Sequence, residues 1–130
     1  TTARLFAKII GVFLNSSDGI LIVGASKSSR LIAEYIQNLG KRVVLIDANT
    51  SFIEQSSNMG LEAYSVNVYD DNLSDNIELN DIGYLIALTG SDAVNKYALK
   101  NFSPIFGESG AYRLATADEV KNQNFENEKH

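Results

Sequence analysis

Apolar residues along this 130-residue chain fall into two patterns. The first is the uninterrupted run: Ile20-Leu21-Ile22-Val23, Val43-Val44-Leu45-Ile46 and Gly83-Tyr84-Leu85-Ile86-Ala87-Leu88. Short runs rich in β-branched residues and bounded by glycine or small polar residues predict strands buried on both faces. Strands are expected at 20–23, 42–46 and 83–88, with shorter ones at 63–66 and 111–114. The second pattern is helical. Leu31, Ile32, Tyr35, Ile36 and Leu39 recur at the spacing of one apolar helix face, and Gly40 stops that helix. A second helix is expected at 51–58, where Ser51 and Glu54 have capping-box spacing and Gly60 lies just past the end. A third runs from Ala93 to Phe102 and breaks before Pro104. Residues 70–77 read as a short polar helix.

Strand and helix alternate throughout. Continuous apolar strands joined by helical crossovers mean a parallel sheet covered on both faces. Right-handed crossovers favour an α/β, Rossmann-like doubly wound sheet of order 3-2-1-4-5 in three α/β/α layers. Residues 16–115 form this domain. Residues 116–130 form a polar tail, and residues 1–15 carry an amphipathic segment with Leu5, Phe6, Ile9, Ile10 and Phe13 on one helical face. That segment is either a helix packed on the domain or a connector from an upstream element such as a membrane helix. Lys8 splits its apolar stretch and no small-residue cleavage site comes after it, unlike a signal peptide.

Ligands of doubly wound sheets bind outside the carboxyl ends of the strands, where the strand order reverses. Four turns converge there. Gly24-Ala25-Ser26-Lys27-Ser28-Ser29 comes after the first strand and opens a helix. Backbone N–H groups and the positive end of the helix dipole meet at such a turn and favour an anion. A dinucleotide fingerprint reads G-x-G-x-x-G. Here the first glycine is Gly24, and serines stand at the second and third positions, Ser26 and Ser29. Ser26, Ser28 and Ser29 offer hydroxyl donors and Lys27 a charge. A Cβ at residue 26 narrows the approach to a pyrophosphate and costs energy if φ there is positive. Asp47 closes the second strand at roughly the ~20-residue spacing of the acid that meets a ribose hydroxyl, and it disfavours the 2′-phosphate of NADP. The other candidate contacts are Ala48, then Asn67 and Val68, then Thr89, Gly90 and Asp92. Each polar member has a purely structural alternative. Serines cap helices, Asp47 caps the next turn, Asn67 makes an Asx turn, and Asp92 with Lys96 makes an i, i+4 ion pair.

Composition narrows the chemistry. The chain is 45% hydrophobic, enough for one core. No apolar run approaches the roughly 18 residues that cross a bilayer, so the chain reads as soluble. It has no cysteine, and its one histidine is the last residue, His130. A net charge of −5 argues against nucleic-acid binding, which needs a basic face, but not against a nucleotide held by backbone amides. There is no Ser/His/Asp set, no thiol and no metal-ligand cluster. The tyrosine–lysine pair of short-chain dehydrogenases is also missing: four residues after Tyr35 and Tyr97 stand Leu39 and Asn101. Recognition, not catalysis, is expected.

Three stretches resemble a known family. Thr2-Ala3-Arg4-Leu5-Phe6-Ala7-Lys8-Ile9-Ile10-Gly11-Val12 looks like the connector after the last membrane helix of bacterial sodium/proton antiporters of the cation:proton antiporter class. Ile20 to Ala33 looks like the first strand, turn and helix of their cytosolic C-terminal domain. Leu85-Ile86-Ala87-Leu88-Thr89-Gly90-Ser91-Asp92-Ala93-Val94-Asn95, with Phe106-Gly107 and Tyr112-Arg113-Leu114, looks like its fourth-strand block and the segment beyond that strand. That domain is of the RCK/TrkA-N type. The resemblance implies a regulatory domain at the cytoplasmic face of the inner membrane, belonging to the same chain as the transmembrane antiporter domain. It implies a homodimer that binds NAD(H), AMP, ADP or ATP to control transport. By position it assigns Gly24, Ser26, Lys27 and Ser29 to the phosphate loop and Asp47 to the ribose. Asn67 falls where many RCK domains carry an aspartate, and Thr89 and Asp92 fall in the fourth-strand loop. The alternative is a degenerate module that serves assembly without a ligand.

Overall fold

The continuous apolar runs form the centre of a five-stranded parallel sheet of order β3-β2-β1-β4-β5. The computed structural model describes residues 19–70, 77–106 and 111–113. In chain order the elements are β1 (Gly19–Val23), α1 (Lys27–Asn38), β2 (Val43–Asp47), α2 (Thr50–Asn58), β3 (Glu62–Ser65), β4 (Ile82–Ala87), α3 (Asp92–Phe106) and β5 (Ala111–Arg113). The amphipathic N-terminal segment, residues 71–76 of the short polar helix, and the tail lie outside the described residues.

β1 is the central strand, and every residue in it is buried. Leu21 lies between Val44 and Leu85, and Val23 between Ile46 and Ala87. Successive side chains point to opposite faces, so one run feeds two cores. Ile20, Ile22, Val43, Leu45 and Ile86 pack with Ala33 and Ile36 of α1, and Phe52 and Ile53 of α2 pack against that core. Leu21, Val23, Val44, Ile46 and Leu85 pack with Ala98 and Phe102 of α3. The sheet therefore lies between α1 and α2 on one side and α3 on the other. This is the three-layer, doubly wound arrangement that the alternation of elements predicts.

Three local expectations are corrected. α1 turns only part of the expected stripe to the sheet: Ile36 is buried and Ile32 packs against the core, joined by Ser29, Arg30 and Ala33, while Leu31, Tyr35 and Leu39 are 54%, 56% and 44% exposed. Ser29 and Ala33 are small enough for the helix to approach the sheet closely beside the β1 turn, where leucine and tyrosine have no room. α2 begins one residue early and is capped by Asn49, whose Oδ1 accepts the Phe52 amide at 3.2 Å, not by a Ser51–Glu54 box. α3 runs through Pro104 to Phe106. The missing N–H there removes one i→i−4 bond in the last turn, close to an end that has unpaired groups in any case.

An ionic clamp closes the amino-terminal edge of the sheet. Arg42 donates to Glu62 Oε2 at 2.7 Å and Oε1 at 3.2 Å, to the Glu78 carbonyl at 3.0 Å, and to Asp81. The Glu62 hydrogen bond is the chief reason the guanidinium holds its proton above its ordinary range. The clamp ties the starts of β2 and β3 to the approach of β4, leaving the carboxyl edge of the sheet open.

Candidate functional site

At the carboxyl edge, β1 ends in a turn that only glycine can make. Gly24 has φ +112°, and a Cβ there would lie 3.0 Å from the Leu88 carbonyl carbon and the Thr89 nitrogen. The backbone after β4 thus presses directly on the turn. The Leu88 amide also donates to the Val23 carbonyl at 2.8 Å, and the Gly24 amide to the Ile46 carbonyl at 2.8 Å.

Asp47 joins this turn to the end of β2. The Ala25 amide donates to its Oδ2 at 2.8 Å, and the Asn49 amide to its Oδ1 at 2.9 Å. The second bond is the turn-capping role open to an aspartate here. The first is a long-range contact that spacing alone does not reveal. An ionised carboxylate has about four acceptor positions, so two remain for further donors. Ser26 stands where the fingerprint has its second glycine. Its φ of −63° and ψ of 172° are ordinary extended values, so the serine is not strained. Its hydroxyl makes no cap bond and lies 3.3 Å from the Ser29 hydroxyl. The first-turn amides of α1 are therefore not sealed by the Ser26 side chain.

Beyond β3, Asn67 makes the Asx turn open to it: its Oδ1 accepts the Tyr69 amide at 3.0 Å. The Tyr69 ring packs on Tyr97 of α3 with centroids 4.5 Å apart. The loop after β4 is held from below by Asn95, which is 1% exposed. Asn95 Oδ1 accepts from the Thr89 amide at 2.9 Å and the Thr89 hydroxyl at 2.6 Å, and its Nδ2 donates to the Thr89 carbonyl at 3.1 Å. One buried amide thus reads both backbone groups and the side chain of a single loop residue.

These turns enclose a cleft of about 320 Å³. Of the residues picked out in the sequence, Gly24, Ser26, Asp47, Ala48, Asn67, Val68, Thr89 and Gly90 line it. The structure does not bring the rest into its wall. Ala25 and Ser29 are buried beneath the turn, and Lys27 and Ser28 are exposed on α1. Asp92 pairs with Lys96 at 2.9 Å, one turn along α3. The wall also contains residues the sequence did not single out: Phe52 of α2, Val66, Tyr69 and Val94 of α3. Phe52 was findable in principle, because the helix after the acid-bearing strand starts at the cleft. Arg30 and Asn95, which support the loops from inside, fall within the stretches that carry the family resemblance, but nothing in the sequence gave either of them this role. Among the described residues, no cluster of His, Cys, Asp or Glu is arranged to hold a metal.

An open parallel sheet, a glycine turn leading from the central strand into a helix, and a cleft where the strand order reverses define a Rossmann-like α/β domain. A TrkA-N domain profile matches residues 20–126. The chain belongs to the TrkA-N domain family. Two solved structures match over 85% of the chain. One is the NAD(P)-binding domain of an exopolyphosphatase-related protein from Archaeoglobus fulgidus, with TM-score 0.63, 16% identity and 96% of that chain covered. The other is the TrkA-N domain of the inner membrane protein ybaL from Escherichia coli, with TM-score 0.58, 15% identity and 95% of that chain covered. A TehB-like SAM-dependent methyltransferase from Corynebacterium glutamicum is similar over 82% of this chain and 59% of its own, with TM-score 0.59 and 17% identity. At such identities the likeness shows the shared fold alone. No curated protein sequence matches the chain.

Proposed function

We propose that this domain binds a nucleotide and uses it to regulate ion transport, as the cytosolic part of a sodium/proton antiporter. The observation that carries the binding reading is the cleft itself. It sets the amino terminus of α1, the Asp47 carboxylate and the Asn67 and Thr89 loops around one hollow with apolar walls. Such a mixture of apolar wall and a few placed polar groups suits a nucleoside with an anionic end. The α1 amides would take the phosphate, and the spare acceptor positions of Asp47 the ribose hydroxyls. NAD(H), AMP, ADP and ATP are the candidate ligands. Membership of the TrkA-N family supports the link to ion transport. So does likeness to a TrkA-N domain from an inner membrane protein. No helix among the described residues is long and apolar enough to cross a membrane, so the transport helices would belong to another part of the parent chain. The domain would act by recognition, without catalysis. A nucleotide moves a transporter between states only by its difference in affinity for them. A second copy of the chain is the expected partner.

Thermal unfolding with AMP, ADP, ATP, NAD and NADH, together with calorimetry, tests the reading. A ligand at 100 times its dissociation constant adds about 2.7 kcal/mol of stability. No shift with any of the five refutes nucleotide binding. It would favour the other reading, a module kept only for assembly. One observation supports that alternative: the exposed Leu31 and Tyr35 on α1 and Leu39 at its end, which a second copy would cover. Light scattering on Leu31→Glu and Tyr35→Glu variants tests it; an unchanged mass rules that face out.

A further inference from the structure

Arg30 is the one arginine of α1, and it is 8% exposed. Its partners are neutral. Nη1 donates to the Ala25 carbonyl at 2.6 Å, Nη2 donates to Gln55 Oε1 at 3.2 Å, and the guanidinium carbon lies 5.6 Å from the centre of the Phe52 ring. Among the described residues no carboxylate pairs with it. A buried cation that meets only dipoles and a ring face is expensive for the fold, and an anion held nearby relieves that cost.

The position of the Ala25 contact gives the charge a specific use. The Ala25 carbonyl and the Ser26 N–H belong to one trans peptide unit, so they point in opposite directions. Arg30 holds the carbonyl on the inner side of the turn. The Ser26 N–H is thereby turned away from the guanidinium, and it has no acceptor among the described residues. Ser26 lines the cleft, as does Phe52, which lies against the guanidinium. The same side chain thus fixes the direction of a free donor and puts a positive charge behind it.

We propose that Arg30 is a positioning residue for a phosphoryl group: it locks the Ala25–Ser26 peptide with its N–H toward the cleft and raises the turn's affinity for an anion. In this chain a buried cation does at residue 26 what a second glycine does in the G-x-G-x-x-G turn, which is to make the backbone there available to phosphate. The inference rests on the nucleotide reading for its natural ligand, but not for its chemistry.

The experiment compares AMP, adenosine and inorganic phosphate by calorimetry on the whole chain, in wild type, Arg30→Met and Arg30→Lys. Circular dichroism checks folding. In wild type AMP binds more tightly than adenosine. In Arg30→Met that advantage falls at least tenfold while adenosine affinity stays within a factor of two. Arg30→Lys keeps the charge and one donor, and restores part of the advantage. If Arg30→Met does not fold, Arg30→Lys and the Ser26 amide resonance decide. That resonance moves on adding AMP to wild type and moves less in the lysine variant. Equal weakening of AMP and adenosine, or no change in either, overturns the proposal and assigns Arg30 to packing. Phosphate binding that depends on Arg30, without any nucleotide binding, supports the proposal and refutes the nucleotide reading. Binding of none of the three probes refutes both.

Discussion

Removing the Asp47 carboxylate tests how the β1 turn is held. Two amides depend on it, those of Ala25 at 2.8 Å and Asn49 at 2.9 Å. The two losses differ. Asn49 is exposed, so water replaces the carboxylate there at little cost. Ala25 is fully buried, so its N–H has nowhere else to turn. A hydrogen bond to a charged group contributes about 1.5–3 kcal/mol, and a buried donor left unpaired costs about as much. Asp47→Ala is therefore expected to lower the unfolding free energy by about 2–3 kcal/mol. Asp47→Asn keeps one acceptor oxygen, which can serve Ala25 but not Asn49 as well, and should cost about 1 kcal/mol. Urea unfolding monitored by circular dichroism at pH 7 and fixed ionic strength measures both. A second measurement separates structure from binding. Any stabilisation by AMP should shrink further in Asp47→Ala, because the spare acceptor positions are lost with the carboxylate. An Asp47→Ala protein within about 0.5 kcal/mol of wild type, the range of an ordinary surface change, would refute the claim that this residue holds the turn. An unreduced AMP response would remove it from the ligand's contacts.

Gly24→Ala puts a Cβ at φ +112° and 3.0 Å from backbone that cannot swing aside. It should cost roughly 3 kcal/mol in the same urea assay, and a loss below about 1 kcal/mol would mean that the turn can relax. Asn95→Leu strips Thr89 of the partners of its amide and carbonyl. It should cost about 2–4 kcal/mol and weaken AMP binding together with stability; intact binding in a destabilised protein would show that the loop does not contribute to the cleft. Tyr64 titrates above its ordinary range, because of burial first and its hydrogen bond to Glu62 second. The unfolded chain therefore loses the phenolic proton first. Tyr64 contributes full stability below about pH 10, and that contribution falls as pH rises through the folded-state value. Tyr64→Phe should flatten part of the alkaline fall in melting temperature, and an identical profile would refute the assignment.

The sheet was legible in the sequence because buried parallel strands leave a plain trace. A residue such as Leu21, with neighbours on both sides and a helix layer above and below, has to be apolar, and so do the residues before and after it. The position of Asp47 was legible for the same reason, since the end of a buried run is easy to see. What Asp47 does was not. Its bond to Ala25 spans 22 residues and depends on β1 and β2 lying side by side, which no local spacing encodes. The buried face of α1 was legible only in part, at Ile32 and Ile36, for a related reason. Leu31, Tyr35 and Leu39 form the more apolar stripe, but the close approach of helix to sheet selects small Ser29 and Ala33 instead. Arg30 and Asn95 are polar residues used as internal supports. Hydropathy assigns such residues to the surface, and only the tertiary contacts reveal them.

The backbone donors at the turn also rank the candidate ligands. Two of its amides are already spent inside the protein, Gly24 on Ile46 and Ala25 on Asp47. The Ser26 amide has no acceptor among the described residues, and the Ser26 side chain does not cap the helix behind it. A pyrophosphate needs close approach of the backbone at the second glycine position, and there Ser26 carries a Cβ and a hydroxyl. A terminal phosphoryl group has no second phosphate to pass over that side chain and can sit in front of the helix amides. The cleft, at about 320 Å³, is also near the lower end of the range for ligand pockets. Both considerations favour a mononucleotide over a dinucleotide. AMP should therefore bind at least tenfold more tightly than NAD in calorimetry at one salt concentration. Ser26→Gly, which opens the approach, should narrow that gap by improving NAD and leaving AMP nearly unchanged. Tighter binding of NAD than of AMP by the unmodified chain would show that the serine is no obstacle, and the ranking would fall with it.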